Sequence, residues 1–418
     1  MTDIEIVHPV PVAEVRRLLS TLATTFLDEA QGENFERYVV AWTREWDLVR
    51  PWAARDDGRW VATLITEPHR LRIPDGAAGT REITVDGLTG VTVNATHRRR
   101  GLLTRMLSES LDEARERGAS LSILIAAEWP IYGRYGYAPA SRSARYSFFP
   151  RRRGAALTPS GTGQVRQVDP TDIGEIARDV FERSRFERAG QIDRDGDWWS
   201  RRLGLDGYQP VNLGKAPTYY LHDGPNGPDG LLWWSAAKEF ELDGELGEVT
   251  VGDLVAASDD AYRNLWAYLA GLDVVAQISF GRRPIDEPIR WLLADGRALR
   301  ENYAGDDLWL RLIDVPAALS ARGYARDDRI VLDVVDDDSG RYGHGRFVLD
   351  SGTGECRSTT ESADVELTQR ALASIYLGGF SLREQRVAGS VHENTPGAIS
   401  RLDTMFATTL PPWNATMF

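Results

Sequence analysis

Residues 91–118 predict a β-strand, an arginine–glycine turn and an α-helix that follow one another without a break. Valine alternates with polar residues at 91–94, three arginines and a glycine follow at 98–101, and apolar residues then recur with helical spacing. Gly118 is suited to end that helix, because glycine readily adopts the left-handed backbone found beyond helix ends. A strand that enters a helix through so short a turn indicates an α/β fold for this part of the chain.

The turn at 98–101 has the chemistry of a pyrophosphate-binding site. The helix behind it exposes unpaired N–H groups and the positive end of its dipole. Gly101 lets an anion approach the backbone without a Cβ in the way, and the arginines add charge and forked hydrogen-bond donors. Basic residues that only solvate the start of a helix would have the same composition, so the turn by itself leaves both interpretations open.

A second informative stretch covers residues 121–140. LSILIAA (121–127) is a short apolar run typical of a buried strand, and three tyrosines follow in IYGRYGYAPA (131–140). A tyrosine hydroxyl, with an ordinary pKa of about 10, remains protonated at neutral pH. The two stretches together predict an anion-binding turn and a buried strand followed by three tyrosines within one α/β unit.

The same two stretches resemble the GNAT acetyltransferases. Their acyl-CoA signature is a strand, then Arg-x-x-Gly-x-Gly/Ala, then a helix. Here it reads Arg-Arg-Arg-Gly-Leu-Leu at 98–103, with Leu103 in place of the final small residue. In that family a tyrosine placed shortly before a glycine–aromatic pair protonates the departing CoA thiolate. Tyr132, ahead of Gly136 and Tyr137, matches this arrangement.

Five blocks spread over the chain resemble those of one GNAT group, the Eis (enhanced intracellular survival) family of aminoglycoside and lysine N-acetyltransferases. They are THRRRGLL (96–103), IYGRYGYAPA (131–140), LWLRLIDVPAALSARGYA (308–325), SIYLGG (374–379) and the ending RLDTMF…F (401–418). The resemblance implies two tandem GNAT-fold domains and a sterol-carrier-protein-like α+β domain, usually assembled as a homohexamer. It also implies acetyl-CoA as the co-substrate and a small cationic amine or a lysine as the acceptor.

The resemblance also implies roles for individual residues. Those expected at acetyl-CoA are Val91 and Val93, through strand backbone groups, and Arg98, Arg99, Gly101 and Leu102 at the pyrophosphate. The expected catalytic groups are Tyr132, as general acid, and the α-carboxylate of Phe418, as general base or as an anchor for the amine. Those expected in the acceptor pocket are Asp28 and Tyr38. Met417 stands where the family's aminoglycoside acetylators carry an acidic residue, which removes one anionic contact for a polycation.

Changes in pattern divide the chain into three regions, 1–150, 151–299 and 300–418. A Gly-, Pro- and Arg-rich stretch at 150–164 is typical of a linker, and a second run of alternating strands and helices follows it. This second copy has Ala-Ser-Asp-Asp at 257–260 where the first has its arginines, and carboxylates there would cap a helix but repel pyrophosphate. We therefore expect a catalytic first domain, a degenerate second domain and a third domain whose apolar C-terminal tail reaches the active site.

The charge balance argues against nucleic acid or a membrane as a partner, and it fits either a surface that is charged for solubility alone or a cationic substrate. Among the 418 residues, 49 Lys and Arg stand against 62 Asp and Glu, a formal charge of −13 that repels anionic polymers and lipid surfaces. No signal peptide or long apolar run is visible, and the single cysteine, Cys356, fits a reducing compartment, so we expect a cytoplasmic protein. The six histidines are scattered without metal-ligand spacing, and no metal is expected.

Together these features predict an acetyl-CoA-dependent N-acetyltransferase. The expected acceptor is a primary amine of an aminoglycoside, a polyamine or a lysine side chain, which attacks directly in a ternary complex. Glu128, close to the candidate acid, is the alternative general base. The competing hypothesis is a lipid or small-molecule binding protein that uses the sterol-carrier-like domain and has non-catalytic GNAT domains. Consumption of acetyl-CoA in the presence of an amine distinguishes the two.

Overall fold

The structure is a computed structural model that describes residues 4–159, 161–205, 216–239, 246–335 and 343–418. Its helices are α1 (Val15–Thr25), α2 (Glu33–Glu45), α3 (Leu102–Glu116), α4 (Trp129–Tyr132), α5 (Gly174–Ser184), α6 (Gly196–Leu203), α7 (Asp259–Ala270), α8 (Val315–Ala321), α9 (Gln369–Ile375), α10 (Leu382–Val387) and α11 (Ala398–Phe406). Its strands are β1 (Glu5–Val7), β2 (Arg50–Asp56), β3 (Arg59–Asp75), β4 (Gly79–Val93), β5 (Leu121–Ile125), β6 (Ala138–Pro139), β7 (Arg142–Phe148), β8 (Gln164–Val168), β9 (Thr218–Gly224), β10 (Gly227–Lys238), β11 (Gly247–Ala256), β12 (Val275–Arg283), β13 (Leu299–Asp306), β14 (Leu308–Leu312), β15 (Arg329–Val335), β16 (Gly345–Asp350), β17 (Glu355–Ser358), β18 (Val365–Thr368) and β19 (Val391–Glu393).

The first sheet has the order β1-β2-β3-β4-β5-β14-β6, with β4 and β5 parallel. Successive residues of a strand point to opposite faces. Trp52 and Ala54 of β2 accordingly pack with α3, whereas Ala53 packs with α1 and α2. We call these two sides the α3 face and the α1–α2 face. The apolar residues predicted on one side of the helix after the arginine turn, such as Met106 and Leu107, are those that α3 buries against its face.

The second sheet repeats this plan in the order β13-β7-β12-β11-β10-β9-β8. Its neighbours are antiparallel except for β11 and β12, which are parallel and connected through α7. Leu231 of β10 packs with α5 and α6 on one face, and the next residue, Leu232, packs with α7 on the other. The repeated α/β fold predicted from the pattern of strands and helices is confirmed.

Three strands near the expected domain boundaries at residues 150 and 299 pair in the sheet of a different domain. β7 precedes residue 150 but pairs with β12 and β13 in the second sheet. β13 and β14 lie at or beyond residue 299, yet β13 completes the second sheet and β14 pairs with β5 in the first. An extra partner satisfies the backbone groups along the free edge of β5. The first sheet therefore includes a strand, β14, that follows the strands of the second sheet in the chain.

The third sheet, β17-β16-β15-β18-β19, belongs to the C-terminal part of the chain with α8 to α11. Its core is continuous with the first sheet, because Leu332 of β15 and Leu372 of α9 belong to the same buried cluster as Leu71 of β3 and Ile123 of β5. Leu71 lies on the same side of β3 as Ile65, which packs against α1 and α2. The third domain therefore covers the part of the α1–α2 face that α1 and α2 leave open.

Three further stretches of the sequence, at 59–68, 230–240 and 329–337, have the apolar, aromatic or β-branched composition typical of strands. The first continues beyond the predicted end to Asp75 as β3, because its hairpin partner β4 runs alongside it from Gly79 to Val93. The other two correspond to β10 and β15, and their predicted ends at residues 240 and 336–337 lie outside the described residues. None of the helices in the described ranges has the length and apolar character needed to cross a membrane.

Candidate active site

β4 and β5 separate at the centre of the first sheet. They pair only from Asp86 to Leu88 with Ser122 to Leu124, and β5 pairs on its other edge with β14. β4 has a bulge at Gly90 (φ 57°), where its register with β3 shifts. Val91 and Val93 lie beyond the separation, and no described strand pairs with β4 there on the side of β5. The resulting gap offers a strand edge that can hydrogen-bond an extended ligand with amide groups.

The arginine turn at 98–101 enters α3 and leaves the helix N-terminus open to an anion. Gly101 occupies the N-cap position with a left-handed backbone (φ 74°), and no side chain caps the helix. A Cβ placed on Gly101 would meet no atom within 4 Å, and Arg98, Arg99 and Arg100 are exposed. Leu102 is the first residue of α3, with its side chain buried and its backbone in the open turn. The turn therefore has the donors, the charge and the space that a pyrophosphate requires.

The corresponding helix of the second domain begins in the opposite way. Ser258 caps α7, and its hydroxyl accepts a hydrogen bond of 3.1 Å from the N–H of Ala261. Asp259 and Asp260 occupy the first turn, where carboxylates interact favourably with the helix dipole. The donors that are open at α3 are thus occupied or flanked by negative charge at α7, which is unfavourable for a phosphate.

Tyr132 ends α4, and its side chain is buried on the α3 face with its ring 6.3 Å from that of Tyr137. Burial, together with the negative charge of nearby Glu128, raises the pKa of Tyr132 to about 12. The hydroxyls of Tyr135 and Tyr137 are engaged with other side chains, at 2.9 and 2.7 Å. The Tyr132 hydroxyl has no hydrogen-bond partner among the described residues, so it is the one of the three that is available to a reacting group.

Phe418, the last residue, lies against His69 of β3, with the two ring centroids 4.6 Å apart and edge-on. The His69 ring covers Gly87 so closely that a Cβ there would lie 2.5 Å from it. Glu67 and Asp193 flank the imidazole, with carboxylate oxygens 3.0 and 3.7 Å from its nitrogens. Burial lowers the pKa of His69, but the two carboxylates outweigh burial and raise it to about 9. His69 is therefore an imidazolium at neutral pH, in contact with the end of the chain.

The two candidate catalytic residues approach the gap from opposite faces of the sheet. Tyr132 packs on the α3 face in the same cluster as Leu124, the last residue of β5 that pairs with β4. Phe418 contacts the ring that covers Gly87, and Gly87 is the neighbour of Leu88 at the same point of separation. The two candidate catalytic residues therefore lie on opposite faces of the sheet, near the point where β4 and β5 separate.

Asp28 and Tyr38 lie on the α1–α2 face of the first sheet. Asp28 is exposed in the turn between α1 and α2, and Tyr38 is half-buried on α2 with its ring edge-on to that of Trp42, 6.1 Å away. The structure thus places both residues on the same face as the contact between Phe418 and His69, and on the opposite face from the helix that follows the arginine turn.

The only cysteine of the chain lies outside this region. Cys356 is on β17 in the third domain, and burial raises the pKa of its thiol to about 12. A thiol is a nucleophile chiefly as the thiolate, so Cys356 is unsuited to carry an acetyl group. Within the described ranges, no group of three or more His, Cys, Asp or Glu side chains is arranged to hold a metal ion.

Comparisons with known proteins agree with this architecture. Acetyltransferase (GNAT) domain families match residues 7–140 and 190–312, and a sterol carrier protein domain family matches residues 315–415. An uncharacterised N-acetyltransferase of Streptomyces griseus is 36% identical over 429 aligned residues, which cover 100% of this chain and 99% of the relative. The N-acetyltransferase Eis of Mycobacterium tuberculosis is 33% identical over 360 residues, 84% of this chain and 83% of Eis. The chain belongs to the Eis family of N-acetyltransferases.

The Eis-family architecture extends over the full length of the chain. The crystal structure of Eis1 from Mycobacterium abscessus superposes with a TM-score of 0.83 at 31% sequence identity and covers 100% of both chains. The resemblance seen in the five sequence blocks is thereby confirmed, as is the order of two GNAT domains and one sterol-carrier-like domain. As a member of this family the chain is an acetyltransferase that uses acetyl-CoA, and a binding protein with non-catalytic GNAT domains is not supported.

His69 contacts the candidate catalytic residue Phe418, and sequence reasoning did not single it out. In the sequence it is one of six scattered histidines. Strand periodicity places Glu67 and His69 on the same face of β3, which is the one local signal of a carboxylate beside the imidazole. The other two neighbours, Asp193 and Phe418, are more than 100 residues away in the chain, and only the fold brings them to His69.

Proposed function

We propose that this chain transfers the acetyl group of acetyl-CoA to a primary amine of a cationic acceptor, by direct attack within a ternary complex. The position of Tyr132 and Phe418 on opposite faces of the sheet, at the gap between β4 and β5, carries the proposal. It supports a reaction in which donor and acceptor approach from different faces and meet in the gap, held close enough to react. The location of Cys356 in the third domain supports direct attack over a covalent acetyl-cysteine step.

The donor would be held by the arginine turn and by the free edge of β4. The N–H groups at the start of α3 and the exposed guanidinium groups suit a pyrophosphate, and the strand edge suits the amides of the pantetheine arm. The residues that we assign to acetyl-CoA are Val91, Val93, Arg98, Arg99, Gly101 and Leu102. When bound, acetyl-CoA supplies the thioester whose acetyl group is transferred.

The acceptor would bind on the α1–α2 face. Asp28 is exposed there, Tyr38 offers an aromatic wall, and Glu67 lies beside the contact between Phe418 and His69. The α-carboxylate of Phe418, with an ordinary pKa of about 3.5, is anionic at neutral pH. It is too weak a base to deprotonate an alkylammonium, so the amine would attack in its neutral form. The carboxylate would orient the amine and accept the proton, directly or through a water, once the attack has made the nitrogen acidic. Glu128 is less suited to this role because it precedes Tyr132 on the side of the candidate acid.

Tyr132 would assist the departing sulfur from the α3 face. Its raised pKa keeps the phenol protonated at neutral pH, as an acid requires. A thiol has an ordinary pKa of about 8.5, so complete transfer of the proton from a phenol of pKa about 12 to a thiolate would be uphill by roughly 5 kcal/mol. We therefore assign Tyr132 as a hydrogen-bond donor to the sulfur as negative charge develops, and the sulfur takes its proton from solvent as CoA leaves the buried site.

The neighbour of the terminal residue bears on the identity of the acceptor. The sulfur of Met417 lies 3.5 Å from a terminal nitrogen of Arg282. The Arg282 guanidinium is itself paired with the carboxylate of Asp307, so this position offers no free carboxylate to a second ammonium of a polycation. It therefore favours an acceptor with a single ammonium, such as a lysine side chain, over an aminoglycoside.

Release of free CoA thiol in the presence of an amine panel tests the proposal. The panel contains a lysine peptide, a polyamine such as spermidine and an aminoglycoside such as kanamycin. We expect turnover with at least one of them and a loss of roughly 10²–10⁴-fold in kcat for Tyr132→Phe. Tyr135→Phe, in the same turn, is the matched control and should retain kcat. Absence of turnover with all three amines, or loss of activity in the control alone, would contradict the proposal.

A further inference from the structure

The last residues of the chain are held by the second domain, although they belong to the third. The backbone N–H of Trp413 donates a hydrogen bond of 3.0 Å to the carbonyl of Ala189, and the N–H of Ala415 donates one of 3.2 Å to the side chain of Gln191. The indole of Trp198 donates one of 3.2 Å to the carbonyl of Met417. We call residues 413–417 the tail and residues 189–198 the clamp.

Arg194 is the central residue of the clamp. Its Nε donates a hydrogen bond of 3.0 Å to the hydroxyl of Thr416, and its Nη2 donates one of 3.1 Å to the carbonyl of Ala415. Its Nη1 lies 2.7 Å from a carboxylate oxygen of Asp253 on β11. The guanidinium also lies over the ring of Phe181, 4.0 Å from the centroid. One planar, five-donor group thus joins the tail to the second sheet.

The contacts of Arg194 are buried, which makes them costly to lose. Arg194 is 2% exposed, and Thr416 and Asn414 are 1% and 0% exposed. A buried guanidinium is stable only when its charge and donors are matched, here by Asp253 and by the two acceptors of the tail. The tail is also braced internally, because the Asn414 side chain accepts a 3.0 Å hydrogen bond from the N–H of Thr416 and donates one of 2.6 Å to its carbonyl.

We propose that Arg194 is a positioning residue for catalysis and that the second domain serves to hold the chain terminus at the active site of the first. The inference rests on the proposed role of the Phe418 carboxylate. The clamp grips Ala415 and Thr416, two to three residues before that carboxylate, and each extended residue spans about 3.5 Å. Releasing the grip would let the carboxylate move by several ångströms, farther than a contact to the reacting amine tolerates. The acidic start of α7 makes the second domain unsuited to bind a pyrophosphate, so holding the chain terminus would be a separate role of this domain.

Two variants test the role of Arg194 by removing all or only part of its contacts with the tail. Arg194→Gln removes the charge and the fork, whereas Thr416→Val keeps the arginine and removes one acceptor from the tail. Arg185→Gln is the control, because Arg185 is equally buried in the second domain but pairs with Glu182 and Glu82 and not with the tail. We expect kcat for the amine to fall about tenfold or more in Arg194→Gln and less in Thr416→Val, with unchanged affinity for acetyl-CoA.

A second measurement reports on the tail directly. Carboxypeptidase A releases an aromatic C-terminal residue from a mobile chain end, so the rate of phenylalanine release from the native protein measures how firmly the tail is held. Release should be about tenfold faster or more in Arg194→Gln and unchanged in Arg185→Gln.

The two readouts separate the possible failures. If phenylalanine release and kcat are both unchanged in Arg194→Gln and in Thr416→Val, the proposal that the clamp holds the tail is wrong. Faster release with unchanged kcat would overturn the positioning role, since a loosened terminus would then not matter for transfer. If the wild-type protein acetylates no amine, the proposed function fails, whereas the release experiment still decides whether Arg194 holds the tail. If Arg194→Gln does not fold, Thr416→Val supplies both readouts.

Discussion

Replacing His69 by glutamine should remove a pH-dependent contribution to stability as well as a contact of the chain terminus. The imidazole lies between Glu67 and Asp193 and against the ring of Phe418. Glutamine has a similar reach and keeps hydrogen-bonding groups, but it cannot carry the charge that two carboxylates stabilise. The variant therefore isolates the protonation of residue 69 from its size.

The magnitude follows from the difference in pKa between the folded and unfolded chain. The pKa of His69 is raised from 6.5 to about 9, and the side chain is 14% exposed. At 1.36 kcal/mol per unit, a difference of about 2.5 units corresponds to roughly 3 kcal/mol. Because the folded pKa is the higher one, this stabilisation is complete below about pH 6.5 and is lost progressively as the pH rises to about 9.

Urea unfolding between pH 6 and pH 10 measures this dependence. The difference in unfolding free energy between wild type and His69→Gln should shrink by roughly 3 kcal/mol across that range, most of it between pH 6.5 and pH 9. His392→Gln, at an exposed position on β19, corrects for replacing any histidine by glutamine. A pH dependence that is the same in wild type and His69→Gln would refute the reasoning, because the imidazole would then carry no extra proton in the folded protein.

Two further changes test the ends of the candidate site. Arg99→Ala should weaken the binding of acetyl-CoA, measured by calorimetry, by about 1.5–3 kcal/mol, as expected for the loss of a charged hydrogen bond. Arg115→Ala, at the far end of α3, is the control and should not weaken it. Equal affinities of the two variants would contradict the assignment of the turn to the pyrophosphate. Deleting Phe418 moves the terminal carboxylate by about 3.5 Å and should slow transfer about tenfold or more, with normal folding and acetyl-CoA binding. Adding one glycine after Phe418 should have the same effect, and full activity in both chains would show that the terminus only packs.

Local chemistry was sufficient to predict the helix α3 and the uncapped arginine turn ahead of it. Whether a helix can start at Leu102 and end before Gly118 depends on residues within a turn of each end, and the structure has both features, with Gly118 in the left-handed region (φ 82°). The open arginine turn ahead of α3 and the capped, acidic start of α7 are likewise properties of a few neighbouring residues. These features could be predicted because their causes are short-range.

The sequence could not show which strand β14 pairs with, because this pairing is decided by the tertiary structure. β5 and β14 pair through Leu124 and Trp309, which are far apart in the sequence. An apolar run such as Leu308–Leu312 predicts a buried strand, but many edges could accept it. Which edge it joins depends on which edge is left open when β5 diverges from β4, and that is settled only when both domains have formed.

The sequence by itself determined the family, the arginine turn and the tyrosine-bearing segment, because each is a continuous pattern. It also indicated that the apolar end of the chain would be buried. Only the tertiary structure decided where that end lies, between His69 of the first domain and Arg194 of the second. The charge of His69 depends on Asp193, and the grip of Arg194 depends on Thr416, a partner 222 residues away. Contacts of this kind leave no local trace, since their energy comes from burial and charge pairing that exist only in the folded chain.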